Sequence, residues 1–170
     1  MSTCPVLQTE RLALRPPSPS DLPDMCRLMA DPDVMRWFDV CRAMSRPEVE
    51  SQLTHWLEHQ EAHGFAPGLI EDTRTGAVIG HGGLARYPET EDQGPELIYL
   101  FDPACWGKGM ATEFATSVAA FGFAQLGARR ILSTVRPENE ASIRVLEKIG
   151  MQRVSYWPEV TRYLYCISIG

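Results

Sequence analysis

"ELIYLFDPACWGKGMATE", residues 96–113, decides the fold. An apolar run over 96–101 reads as a strand, a proline at 103 ends it, and two glycines then flank Lys108. An apolar helical pattern follows at once over 108–126, with Phe114, Val118, Phe121 and Leu126 expected to face inward. A tight turn from strand to helix leaves the first backbone N–H groups of the helix unpaired. They point outward, and the helix dipole adds about half a positive charge there. Such a place favours an anion, phosphate above all. Glycine at 107 and 109 lets a phosphate approach the backbone without meeting a Cβ, and the small Ala111 keeps the turn open. Among nucleotide sites, the Walker pattern is absent, and the dinucleotide fingerprint GxGxxG fails at its third glycine because residue 112 is threonine. A coenzyme A diphosphate site and a turn that binds nothing both stay open on the turn alone.

Outward from this segment the patterns are regular. "ERLALRP" (10–16) alternates like a strand. The stretch 18–33 opens with Ser18 and Asp21 in capping positions and carries an apolar stripe of Leu22, Met25, Cys26, Leu28 and Met29, which predicts a helix. Residues 45–64 repeat the design, with Ser45 and Glu48 as a capping box, Val49, Leu53, Trp56 and Leu57 on one face, and Gly64 as the stop. "FAPGLIED" and "AVIGHGGLARY", joined by "TRTG", predict a hairpin. After an acidic loop, "YPETEDQG", comes the deciding segment. A strand over 129–137, a short helix over 139–150 started by Asn139 and stopped by Gly150, and two closing strands, "MQRVSYW" and "RYLYCISI", complete the chain. Strands come first in series and then alternate with helices from about residue 95. That order implies an α/β (α+β) sheet of mixed direction with a parallel strand–helix–strand unit in its second half.

The 170 residues suggest one domain, 1–170. With 44% hydrophobic and 22% charged residues the composition is that of an ordinary globular protein. No run approaches about 18 consecutive apolar residues, so no membrane span is expected. "MSTCPVLQTERL" lacks the basic-then-apolar order of a signal peptide, and a cytoplasmic location is the expectation. Five scattered cysteines, Cys4, Cys26, Cys41, Cys105 and Cys166, read as reduced thiols, Cys105 being the one beside the glycine turn. A net charge of −6 argues against a nucleic-acid partner and suits a cationic substrate.

"ELIYLFDPACWGKGMATE" followed by "VRPENEASIRVLEKIGM" resembles the GNAT superfamily of N-acetyltransferases, most closely the branch that includes ribosomal-protein alanine N-acetyltransferases. "LQTERLALRP" is similar to that branch's first strand. The resemblance implies a GNAT fold, with a mixed central sheet of about six to seven strands, splayed at the acetyl-CoA site and flanked by helices. It also implies acetyl-CoA as cosubstrate, no metal, and direct acetyl transfer to a primary amine on a small molecule or a protein N-terminus. In the family the diphosphate sits on backbone N–H groups of the turn, here Trp106, Gly107, Lys108, Gly109, Met110 and Ala111, running into Thr112. Trp106 stands where the family usually has Gln or Arg, so the backbone rather than that side chain is expected to bind. Lys108 is the candidate for added positive charge. The preceding strand is similar to the family's pantetheine strand, with backbone groups expected from Leu100, Phe101 and Asp102. Ile98 stands where the branch usually has glycine, which alters the expected acceptor shape.

Asn139 matches the family asparagine on the pantetheine arm and doubles as a helix cap. Ser142, three residues on, shares its face and matches the hydroxyl near the thioester sulfur. Glu96 is the candidate for taking the amine's proton, directly or through water, with Tyr99 and His81 as further options. A backbone N–H on the pantetheine strand is the expected oxyanion donor. By analogy with the family, "DVMRWFDVCRAM" borders the acceptor pocket, with Trp37 and Phe38 as walls and Tyr99 beside them. Arg144 and Lys148 rank low as phosphate contacts. The closing strands are candidates for pairing in a homodimer.

Two other readings compete. "HWLEH" (55–59) fits H-x-x-E-H, the inverted zinc-protease spacing, with His55, Glu58 and His59 as a metal site and His63 extending it. On a helical wheel these histidines are expected opposite Leu53 and Trp56, on a solvated face. A GNAT-like domain that binds acetyl-CoA without turnover, as a sensor or interaction module, is the second.

Overall fold

The protein is described by a computed structural model for residues 6–170, so Cys4 lies outside the described residues. Its strands are β1 (Leu7–Gln8), β2 (Leu12–Arg15), β3 (Gly68–Asp72), β4 (Val78–Ala85), β5 (Glu96–Phe101), β6 (Arg130–Val135), β7 (Gln152–Trp157) and β8 (Arg162–Ser168). Its helices are α1 (Leu22–Met29), α2 (Pro32–Met35), α3 (Arg46–His63), α4 (Met110–Gln125) and α5 (Glu140–Lys148). The strands form an eight-stranded sheet in the order β1-β2-β3-β4-β5-β6-β8-β7. This is the expected mixed α/β architecture, with eight strands where about six to seven were expected and seven were read from the sequence. The addition is β1, two residues long and too short to show a period in the sequence.

Two compact units divide the chain, Met1–Gly83 with Tyr99–Met110, and Leu84–Ile98 with Ala111–Gly170. In the first, β1, β2 and β3 pair antiparallel, Leu12 opposite Asp72 and Arg15 opposite Leu69, and β3 pairs antiparallel with β4, Leu69 opposite His81. Leu12, Met25, Leu28, Val49, Trp56, Leu69 and Ile70 make its interior. Each such side chain, fully buried, contributes about 1.5–3 kcal/mol. The helix expected over 18–33 is broken into three pieces. Ser18 and Asp21 do form a capping box, but on the 3₁₀ turn Pro19–Asp21, and α1 begins after it. Pro32 has no N–H to continue α1 and instead opens α2 at its first position. Asp21 is buried because it receives the Ser18 N–H at 2.7 Å and Arg15 at 2.8 Å. Both η nitrogens of that arginine are on Asp21, and its Nε donates to Glu71 at 2.6 Å. Helix α3 matches its prediction, from the Ser45–Glu48 box to Gly64 in the left-handed region.

In the second unit β5 pairs parallel with β6 at Glu96 opposite Leu132. Strand β8 runs antiparallel to both β6 and β7. The crossover helix α4 buries Phe114, Ala115, Val118, Ala119 and Gly122. Phe121 and Leu126, expected inward, are only half-buried, the inward face being made by Phe114 and Val118 with the small Ala115, Ala119 and Gly122. A side chain at Gly122 would meet Leu84 and Ile131 at 2.8 Å, so that helix face lies close on β4 and β6.

Candidate active site

The end of β5 sets the geometry of the glycine turn. Successive residues of a strand turn their N–H and C=O alternately to its two edges. The Asp102 N–H donates to Ile79 O at 2.8 Å, and a Cβ built at Gly80 would lie 2.6 Å from Leu100 O. The Asp102 N–H and the Leu100 carbonyl are therefore turned toward β4, the Asp102 carbonyl instead accepts the Cys105 N–H at 2.8 Å, and by alternation Tyr99 and Phe101 face the opposite edge. Of the three residues expected to offer backbone to a ligand, Phe101 faces the edge away from β4, as does Tyr99, while Leu100 and the Asp102 N–H face β4. Phe101 O already accepts the Trp106 indole N–H at 2.9 Å. Trp106, half-exposed, thus closes the turn with its own side chain.

Asp102 caps the 3₁₀ turn Pro103–Cys105 by accepting the Ala104 N–H at 2.9 Å. Its other oxygen accepts from Arg27 at 2.9 Å, and the same guanidinium donates to Val78 O at 2.6 Å. Helix α1 is thereby tied to both β4 and the end of β5. Gly107 (φ +70°) and Gly109 (φ +76°) are both left-handed, with exposed Lys108 between them. A Cβ at Gly107 would meet nothing within 4 Å, so the turn is open at that position. Residue 11, which sequence reasoning missed, donates from its guanidinium to Lys108 O at 2.9 Å. No sequence signal links positions 97 residues apart. Cys105 is no activated thiol, since burial and then Asp102 push it above the ordinary thiol range. Trp37 and Phe38 lie half-buried after α2, with Arg36 over the Trp37 ring at 5.5 Å, and Tyr99 neighbours Phe101 at 6.3 Å.

In the second unit Glu96 is buried rather than an exposed strand end. One carboxylate oxygen accepts both the Thr134 N–H at 3.1 Å and the Thr134 hydroxyl at 2.7 Å. A donor that a backbone ladder would otherwise use is thus answered by a side chain. One residue earlier on β6 the exchange is reversed, with the Ser133 hydroxyl donating to Leu97 O at 2.9 Å. Asn139 caps α5 by accepting the Ser142 N–H at 3.2 Å, and both residues are half-buried on the first turn of that helix. Ala111 and Thr112 open the first turn of α4, where Thr112 O accepts the Thr116 hydroxyl at 2.7 Å. Arg144 pairs with Glu140 at 3.4 Å and Lys148 is exposed.

The histidine motif has a different placement from the one expected. His59 is buried, three residues from Trp56 and edge-on to it at 5.8 Å, so that helix face is not wholly solvated. Its Nδ1 lies 2.8 Å from Phe65 O, and because a carbonyl only accepts, Nδ1 carries the hydrogen. Among the described residues no group of three or more His, Cys, Asp or Glu could hold a metal ion.

His81, the other imidazole considered, is buried on β4 beside Trp56. Burial pushes its pKa down to about 4, against the opposing pull of Asp21. The folded value lies below the ordinary 6.5, so the unfolded chain binds the extra proton first. Stability is therefore complete above about pH 6.5 and falls toward pH 4, by about 3 kcal/mol at 1.36 kcal/mol per pKa unit. His81→Leu is expected to remove that share of the acid sensitivity. Urea midpoints at about pH 7 and pH 4.5 check it, and equal pH dependence in both proteins would disprove it.

The profile described as Acetyltransferase (GNAT) domain matches residues 11–152. The chain is 33% identical over 150 residues to the uncharacterized N-acetyltransferase YoaA of Bacillus subtilis (strain 168), spanning 88% of this chain and 84% of that one. An acetyltransferase structure from Agrobacterium tumefaciens str. C58 superposes with a TM-score of 0.82 at 26% identity, covering 99% of this chain and 97% of that one. A GNAT-family acetyltransferase from Bacillus anthracis superposes at 0.80 with 25% identity, covering 95% and 97%.

Proposed function

Because the chain belongs to the GNAT acetyltransferase family and is an acetyl-CoA-dependent N-acetyltransferase, we propose a single catalytic domain that moves the acetyl group directly to a primary amine of a small molecule or a protein N-terminus. The observation that carries the reading is the turn at 106–111, with two left-handed glycines, an open approach at Gly107 and a helix N-terminus immediately behind it. That cradle fits a diphosphate: its donors are backbone amides, and a side chain at 107 would stand in the approach. The edge-facing backbone groups of Tyr99 and Phe101 suit the pantetheine amides, which extend the strand as β-augmentation does. Asn139 helps hold the same arm.

The bound thioester supplies an activated acetyl carbonyl, and the chain's own groups do the rest. An amine attacks only when neutral, and an α-amino group of pKa about 8 needs modest help. Glu96 takes its proton, directly or through water. A β5 backbone N–H stabilises the carbonyl oxygen as it gains charge. The Ser142 hydroxyl donates to the departing sulfur. Trp37, Phe38 and Tyr99 wall the acceptor side. The exposed carboxylates Glu89, Glu91 and Asp92 between β4 and β5 favour a cationic acceptor.

Incubation with acetyl-CoA and a panel of amino acids, polyamines and N-terminal peptides, read by free-thiol release and by mass gain of the acceptor, tests this. The expected result is acetylation of at least one class. Thermal stabilisation by CoA with turnover on none of them would replace the enzyme by a binding module.

A further inference from the structure

Arg11 stands in the tight turn between β1 and β2. That turn is closed by the Thr9 N–H on Leu12 O at 2.8 Å and by the Leu12 N–H on the Thr9 hydroxyl at 3.0 Å. The Arg11 carbonyl accepts the Thr73 N–H at 3.0 Å, and the Thr73 hydroxyl donates to Glu10 O at 2.9 Å. The side chain therefore springs from a base fixed at both sides. Its Nη1 donates to Lys108 O at 2.9 Å, and its Nη2 lies 3.7 Å from where a Cβ of Gly109 would be. The carbonyl it holds sits between two left-handed glycines, the most easily rotated stretch of the turn.

We propose that Arg11 is the positioning residue of the coenzyme turn, fixing the peptide plane between Lys108 and Gly109 so that the Gly109 amide is presented to the diphosphate. In a trans peptide the C=O and the N–H point in opposite directions. Holding Lys108 O toward Arg11 therefore turns the Gly109 N–H away from Arg11. A bond from a guanidinium is about twice as strong as a neutral one, which suits it to hold a segment with two glycines. The residue that brings order to the turn is thus Arg11 rather than Lys108, whose side chain is exposed. The inference rests on the acetyl-CoA reading above and deepens it by assigning the turn's geometry to a residue outside the family's turn motif.

Calorimetric titration of the full chain with CoA tests it, together with the Gly109 amide resonance and the melting temperature of each variant. Arg11→Ala is expected to weaken CoA binding about tenfold, the loss of roughly one charged hydrogen bond. The Gly109 amide is expected to move on CoA addition in the wild type and to move less than half as far in Arg11→Ala. Arg11→Lys, which keeps a charged donor, should fall between the two and serves as the second variant if Arg11→Ala does not fold. Unchanged CoA affinity in a folded Arg11→Ala overturns the proposal and leaves the acetyl-CoA reading standing. So does weakened affinity with a full Gly109 shift. Wild-type protein that binds no CoA overturns both.

Discussion

Glu96→Gln is expected to give a folded protein whose kcat near pH 7 is about 100-fold lower, the low end of what a general base contributes. The variant separates two tasks of one carboxylate. Glutamine keeps a carbonyl oxygen for the Thr134 N–H and hydroxyl, so the side-chain bridge between β5 and β6 is retained. What it loses is the ability to take a proton. The deficit should shrink above about pH 8, where an α-amino acceptor is neutral without help. Glu96→Ala is expected to lose both tasks: the Thr134 donors are left without this partner, which costs about 1–3 kcal/mol of stability in addition to activity. Steady-state rates across pH, with the saturating acceptor from the amine panel, check this. A Glu96→Gln enzyme with wild-type kcat at every pH would reduce the carboxylate to a structural bridge.

The second large effect is expected at the glycine turn. Gly107→Ala should raise the KM for acetyl-CoA about tenfold or more while lowering stability by only about 1–2 kcal/mol, the cost of a left-handed alanine. The asymmetry follows from the space around it. A Cβ at 107 meets no protein atom within 4 Å, so the free protein tolerates it apart from backbone strain. The approaching diphosphate does not. Gly127→Ala is the control, since Gly127 is also left-handed (φ +64°) with nothing within 4 Å, and it ends α4 away from the turn. The same loss of stability with an unchanged KM is expected there. Equal KM values for both variants would remove the turn from the binding site.

What could be read before folding is local in origin. The Ser45–Glu48 box, the left-handed Gly64 and the Asn139 cap each arise from groups within a few residues of one another, so their chemistry is written in the spacing. The break between α1 and α2 was equally local in Pro32, three residues beyond Met29, the last member of the apolar stripe. His59 was misplaced for a different reason. It was expected opposite Trp56, yet three residues along a helix the two side chains are neighbours, and Phe65, beyond the helix end, supplies the carbonyl that lets a polar ring go inside.

The strand, the glycine turn and the helix behind it were determined by sequence alone, because turn chemistry and apolar period act over fewer than about ten residues. Which backbone groups of β5 are spent on β4, why Glu96 is buried against Thr134, and how Arg11 comes to hold Lys108 were decided only by the tertiary structure. Each depends on a partner from 20 or more positions away, brought there by strand register, and register is a property of the assembled sheet rather than of any one stretch of chain.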